Sequence, residues 1–209
     1  MNYPLCIFDF DGTLADSFPW LNGVINQVMQ AHHLKPLSPE EIDLLRAGDG
    51  QRVIQARSLP FWRIPIIARD MRRRMRADAR QIHPFPGVAS TLQSLADRGA
   101  RLAIVSSNAR ENVESVLGAQ TCALIQRFEC SVPIHGKARV LRRVSRRMNL
   151  PPSQAIYIGD ELRDLQAARQ AGMPFGAVSW GYNTLAALQA GQPEEVFTRF
   201  EDILTLFAS

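Results

Sequence analysis

PLCIFDFDGT, residues 4–13, governs the reading of the chain. Residues 4–10 are short, apolar and bounded by a glycine turn, the pattern of a buried strand whose C-terminal end carries Asp9. Asp11 follows two residues later, and Gly12-Thr13 turns the chain. In an extended strand residues i and i+2 share a face, so the two carboxylates are placed to act together.

Beyond this strand the texture changes twice. Residues 16–82 read as helical throughout. Leu21, Val24, Ile25, Val28 and Met29 recur at helical spacing over 16–34. Ser38-Pro39-Glu40-Glu41 is a capping box that starts a helix through about Arg46. Ala47–Gln51 breaks it, and further helix is expected over about 51–58 and 62–81. HPFPGV at 83–88 is a Pro/Gly boundary. Strands then alternate with helices: helix 88–98, strand 101–107, helix 109–118, strand 128–132, helix 137–149, strand 155–160, helix 162–171, strand 174–180, and a final helix over about 200–207. Such alternation implies a parallel sheet with right-handed crossovers. The expected fold is α/β, a Rossmann-like parallel-sheet core (1–15 and 84–209) interrupted after its first strand by an α-helical cap (16–83).

Bulk composition narrows the class. The chain has 209 residues, 46% of them hydrophobic, enough for a real core. No apolar run approaches the ~20 residues of a membrane span. The N-terminus lacks the basic and apolar regions of a signal peptide. Cys6, Cys122 and Cys130 show no metal spacing and read as small hydrophobes in a reduced, cytoplasmic protein. The net charge of +4 is compatible with nucleic acid or with anionic small substrates. RDMRRRMRAD at 69–78 lacks interleaved aromatics for base stacking. It reads as the solvated face of a helix with Met71 and Met75 turned inward, and a nucleic-acid partner is not expected. Of 24 basic residues only Lys35 and Lys137 are lysines, so a lysine in a telling place carries weight.

The strand ends supply that place. The first strand ends in Asp9 and Asp11, the second in Ser106-Ser107-Asn108, and the strand at 155 in Gly159-Asp160, followed by Glu161 and Asp164. Lys137 begins the helix before that last strand. In a parallel sheet these groups converge at one edge, where ligands bind. Hard carboxylate oxygens suit Mg²⁺ together with substrate phosphate. A lysine ammonium and a serine hydroxyl hold phosphoryl oxygens. A spare carboxylate beside such a metal favours nucleophilic attack on phosphorus followed by hydrolysis.

DFDGTLADS, AIVSSN, Lys137 and IGDELRD resemble, in order and spacing, the four motifs of the haloacid dehalogenase superfamily. The helical insert after the first motif resembles the cap of its phosphoglycolate-phosphatase-like branch. Gly136-Lys137-Ala138 stands where that branch often carries Lys-Pro. The resemblance implies that Asp9 is the nucleophile forming an aspartyl-phosphate, and that Asp11 protonates the leaving oxygen and then deprotonates water. It implies Mg²⁺ held by Asp9, the Asp11 carbonyl and Asp160, with Asp164 acting through waters and Glu161 given less weight. Ser106 and Lys137 bind the phosphoryl group, Thr13 steadies the loop, and Ser107 and Asn108 border the phosphate. A carboxylate at Asp11 fits phosphate-ester hydrolysis, or phosphoryl transfer between sugar hydroxyls, rather than dehalogenation.

The expected activity is therefore a Mg²⁺-dependent phosphatase acting on a small phosphorylated metabolite, phosphoglycolate-like or a sugar phosphate, in a monomer or homodimer with no membrane partner. A sugar phosphomutase and a non-catalytic binding protein are the rival readings. In the cap, Arg46 or Arg52 of RAGDGQR is placed to meet a substrate carboxylate or second phosphate, Phe18 and Trp20 to line the entrance. His83 and His135 read as structural groups.

Overall fold

The computed structural model describes residues 3–60, 62–133 and 136–207. Between the first strand, β1 (Leu5–Phe8), and the second lie helices α1 (Phe18–Ala31), α2 (Pro39–Arg46), α3 (Gly50–Ala56) and α4 (Arg63–Ala77). The rest alternates: α5 (Val88–Asp97), β2 (Arg101–Val105), α6 (Arg110–Ala123), β3 (Arg127–Glu129), α7 (Lys137–Arg147), β4 (Ala155–Gly159), α8 (Leu162–Ala171), β5 (Phe175–Val178), α9 (Leu185–Ala190) and β6 (Glu195–Phe197). The strands form one parallel sheet in the order β3-β2-β1-β4-β5-β6. The chain order reverses direction at β1, so the crevice at its carboxyl end is the expected ligand position.

β1 is buried on both faces, as parallel strands flanked by helices must be. Cys6 and Phe8 pack with residues of α5, α6 and the 3-10 segment Phe200–Phe207. Leu5 and Ile7 pack on the opposite face with α7, α8 and α9. Phe8 is in register with Ile104 and Ile158, which brings Asp9, Ser106 and Asp160 to one edge within a residue of each other.

The helices between β1 and β2 hold a cluster of their own, with Val28, Met29, Leu37, Val53 and Ile67 buried together. The capping box is made: Ser38 Oγ accepts from the Glu41 N–H at 3.3 Å, and Glu41 Oε2 from the Ser38 N–H at 2.8 Å. The two chain passes that join this segment to the sheet run side by side. Ala15 bridges Pro84, the Asp16 N–H donates to the His83 carbonyl at 2.9 Å, and the Phe85 N–H to Leu14 at 3.0 Å.

Several expectations need adjusting. The final segment 200–207 is 3-10 rather than α-helical. The helix expected to end at 118 continues to Ala123 across Gly118, whose φ of 75° marks a kink. The helix expected over 62–81 stops at Ala77, and a 3-10 turn follows at Ala79–Gln81. The sequence reading passed over α9 and β6. The six residues of α9 are too few to show a period, and β6 has only three residues, Glu195 among them. Among the described residues no helix is long and apolar enough to cross a membrane.

Candidate active site

Asp9 leaves β1 still on the ladder, its N–H donating to the Ile158 carbonyl at 2.9 Å, and its carboxylate is buried. Asp160 continues β4, and Asp164 stands in the first turn of α8. One carboxylate oxygen from each of these three buried residues lies within 4.8 Å of the others. Burial raises the Asp9 carboxyl to about 7; Lys137 opposes the shift and Asp164 adds to it. Asp160 is raised well above the ordinary carboxylate range, first by burial and then by Glu161, Asp164 and Asp9.

Lys137 answers part of this charge. It opens α7, where a cation opposes the helix dipole, so its placement is decided by the carboxylates facing it. Its Nζ donates to Asp9 Oδ2 at 2.9 Å and to Asp164 Oδ1 at 2.5 Å, with all three groups buried. Asp164 and Asp9 hold the Lys137 ammonium above its ordinary value against the opposing effect of burial. The Tyr157 hydroxyl donates to Asp164 Oδ1 at 3.3 Å. Asp164 Oδ2 is buried with no hydrogen-bond partner.

One ammonium facing three carboxylates leaves negative charge in excess, and an orphaned carboxylate oxygen is costly in a buried site. An all-oxygen donor set with excess negative charge fits a hard divalent cation such as Mg²⁺. The surrounding backbone leaves little freedom. Thr13 Oγ1 donates to Asp160 Oδ1 and the Tyr182 N–H to Asp160 Oδ2, both at 2.8 Å. Gly12 has φ +74°, and a Cβ there would lie 2.1 Å from Asp160 Oδ2. A Cβ on Gly181 would lie 2.1 Å from Asp160 Cβ.

Asp11 is half-buried, and burial raises its carboxyl, opposed by hydrogen bonds from Asn108 and Ser17. Asn108 Nδ2 donates to Asp11 Oδ2 at 2.8 Å, and the Asn108 N–H donates to Ser106 Oγ at 3.0 Å. Ser106 is fully buried; Ser107 beside it is half-buried. Asn112 fixes the Asn108 amide from α6, donating to its Oδ1 at 2.8 Å. Asp9, Lys137, Asp164 and Asp160 thus form one cluster, with Thr13 joined through Asp160; Asp11, Asn108 and Ser106 form a second hydrogen-bonded group at the same sheet edge.

The remaining candidates lie at the margin. The Arg46 guanidinium sits 4.5 Å above the Phe18 ring, which packs on Tyr182 at 5.6 Å. Arg52 is exposed and paired with Asp49 at 3.4 Å. Trp20 Nε1 donates to Asp78 Oδ2 at 3.0 Å. Glu161 is paired with Arg163. His83 is exposed and contributes its backbone carbonyl; His135 lies outside the described residues. Cys6, Cys122 and Cys130 are free thiols.

Sequence reasoning missed Tyr157 and the 181–183 loop. That loop carries Tyr182, whose hydroxyl meets Ser17 Oγ at 2.8 Å, and Asn183, whose Oδ1 accepts from the Leu162 N–H at 2.8 Å. The signal was present: Gly181-Tyr182-Asn183 is a polar loop after the C-terminal end of β5, placed like the loops after the other strands.

Comparison with known proteins finds relatives over most of the chain. The family model of haloacid dehalogenase-like hydrolases matches residues 6–178. A phosphoglycolate phosphatase of Synechococcus elongatus is 33% identical over 199 residues, covering 95% of this chain and 94% of that protein. The phosphoglycolate phosphatase of Escherichia coli K12 is 29% identical over 94% of this chain and 89% of its own. A haloacid dehalogenase-like family protein of Streptococcus pneumoniae superposes with a TM-score of 0.79 at 21% identity, over 99% of each chain. A Lactobacillus plantarum protein does so with a TM-score of 0.82 at 25% identity, over 99% of this chain and 100% of that one.

Proposed function

The chain belongs to the haloacid dehalogenase-like hydrolases and is a phosphatase among them, and on that premise we propose that it hydrolyses a small phosphorylated metabolite with Mg²⁺, through an aspartyl-phosphate on Asp9. The observation that carries the reading is the buried cluster of Asp9, Asp160 and Asp164 around Lys137, with Asp11 two residues from Asp9 at the cluster's edge.

Asp9 attacks phosphorus. The new bond joins its carboxylate oxygen to the phosphoryl group, and the ester P–O bond breaks. Asp11, raised by burial and held by Asn108, supplies the proton to the leaving oxygen. Asp11 then takes a proton from the water that attacks the acyl-phosphate, which releases phosphate and restores Asp9. Lys137 and Ser106 hold the phosphoryl oxygens while charge builds on them. Asp9, Asp160 and Asp164, with the Asp11 backbone carbonyl, would hold Mg²⁺. When bound, it neutralises phosphoryl charge and carboxylate repulsion. Thr13 and the Tyr182 N–H fix Asp160 for that task.

The division of labour follows the chain. Residues 1–15 and 84–209 form the catalytic core, and 16–83 form a cap whose joining passes lie side by side at Ala15 and Pro84. Such a cap admits substrate when open and excludes bulk water when closed. Arg46, stacked on Phe18 beside Tyr182, and Arg52, paired with Asp49, are the cap arginines offered to a substrate carboxylate or second phosphate. The printed activity of the relatives makes 2-phosphoglycolate the first compound to try, and the reduced cytoplasm is the proposed location.

The experiment is inorganic phosphate release from a panel of phosphorylated metabolites, with Mg²⁺ and with chelator, beside Asp9→Asn. Metal-dependent release that vanishes in the variant supports the reading. A panel with no substrate overturns it.

A further inference from the structure

We propose that Arg72 determines specificity by binding a carboxylate on the organic part of the substrate, so that the enzyme selects short phosphorylated carboxylic acids over neutral sugar phosphates. The proposal rests on the phosphatase reading of the site beneath it.

Helix α4 lies across the loop that follows β2. The Met75 sulfur is 2.8 Å from Asn108 Nδ2, the nitrogen that also donates to Asp11. Asn112 Nδ2 donates to the Arg72 backbone carbonyl at 3.1 Å. Two points therefore pin the Arg72 turn of α4 over the proposed phosphoryl-binding loop.

The Arg72 side chain reaches back to that loop. Its Nη1 lies 3.4 Å from the Ser107 carbonyl, at the outer limit of a hydrogen bond. Ser107 is the neighbour of Ser106, and the guanidinium is half-buried. Among the described residues no carboxylate pairs with it. Burial, joined by the like charge of Arg69, lowers its affinity for the proton.

Several other arginines of the same helical segment have partners, and Arg69, Arg76 and Arg80, which have no ion pair among the described residues, make no hydrogen bond with the loop after β2. Arg57 is paired with Glu41, Arg73 and Arg74 with Asp70, and Arg46 is stacked on Phe18. Arg72 instead holds a planar fork of five donors with one long contact, to the loop that follows β2. A carboxylate completes such a fork with two parallel hydrogen bonds and cancels its charge, which sugar hydroxyls do not. On this proposal, a substrate whose phosphoryl group is held by Ser106 and Lys137 turns its organic end toward α4, which meets the Ser107-Asn108 loop at Arg72 and Met75.

The test compares 2-phosphoglycolate with ethyl phosphate, which has the same phosphoryl group and two carbons but no carboxylate. The wild-type chain, Arg72→Gln and Arg72→Lys are assayed for kcat/KM on both. The ratio of the two values within one preparation does not depend on how much of a variant is folded. Arg72→Gln is expected to lower the ratio of 2-phosphoglycolate to ethyl phosphate about 30-fold, mainly through KM, and Arg72→Lys to lower it less. A ratio in Arg72→Gln within about threefold of wild type overturns the proposal. If the wild type releases phosphate from neither compound, the phosphatase reading is decided by the wider panel. Arg72 is then judged by calorimetric titration of 2-phosphoglycolate into Asp9→Asn and into Asp9→Asn/Arg72→Gln. Binding weaker by about tenfold in the double variant supports the assignment, and equal affinity overturns it.

Discussion

The Lys137 ammonium lies 2.9 Å from Asp9 Oδ2, and both groups are sealed from solvent. This pair joins the first residue of α7 to the end of β1, and through Asp164 to α8. Removing one partner of a buried pair leaves the other charge uncompensated, at a cost of about 3–5 kcal/mol. Lys137→Met keeps the volume and removes the charge. It is expected to destabilise the chelated protein by about 3 kcal/mol at neutral pH, and to recover part of that loss when Mg²⁺ is added. Chemical denaturation with and without Mg²⁺ checks this; an unchanged midpoint contradicts it.

The raised Asp9 carboxyl fixes the sign of a pH dependence. Its folded value is about 7 against an ordinary 3.8, so the folded chain keeps a proton that the unfolded chain releases. The stability from this group is fully present below about pH 4 and is lost as pH rises through about 7. In chelator, the melting temperature of the wild type minus that of Asp9→Asn is expected to fall across this window. Mg²⁺ binds the ionised form, so its stabilisation grows over the same range. Paired melts at about pH 5, 6, 7 and 8 measure both trends, and a difference that rises with pH in chelator refutes this account of Asp9.

Asp11 is assigned the protons, and Asn108 holds it at 2.8 Å. Asp11→Asn retains the shape and the backbone carbonyl but carries no transferable proton. Phosphate release from an alkyl phosphate is expected to fall about 10²–10⁴-fold. Release from an aryl phosphate, whose leaving group needs less protonation, is expected to fall less. Equal losses on both esters contradict the role.

Crowding around Asp160 offers a test that alters no charge. A Cβ on Gly181 would lie 2.1 Å from Asp160 Cβ, whereas one on Gly23 meets nothing within 4 Å. Gly181→Ala is expected to raise the Mg²⁺ concentration needed for half-maximal activity by about tenfold or more. Gly23→Ala, within α1, is expected to leave it unchanged and to add about 0.5–1 kcal/mol of stability. Activation curves and melts of the two variants separate a displaced Asp160 from a general intolerance of alanine.

What the sequence disclosed follows from how the site is built. Asp9, Ser106 and Asp160 each end a strand with a clear apolar run, so the parallel register alone brings them together. Lys137 was legible because a chain with so few lysines placed one at the start of a helix facing that edge. The capping box at Ser38 formed as read because both of its bonds are local. Features set by tertiary contact were not legible. Tyr157 is one aromatic in an otherwise apolar strand, and only the fold shows its hydroxyl at Asp164. Tyr182 holds Asp160 through a backbone N–H, a group that every residue but proline carries. β6 is kept by its pairing with β5 rather than by any pattern of its own.

The central claim is a covalent phosphoryl group on Asp9. The most direct measurement is acid quenching during turnover of 2-phosphoglycolate with Mg²⁺, followed by mass spectrometry of the peptide that carries Asp9 and Asp11. The account predicts a base-labile phosphate on Asp9 that accumulates during turnover, disappears when substrate is exhausted, and never forms in Asp9→Asn. Turnover with no phosphate on that peptide, or phosphate release by Asp9→Asn at the wild-type rate, would contradict it.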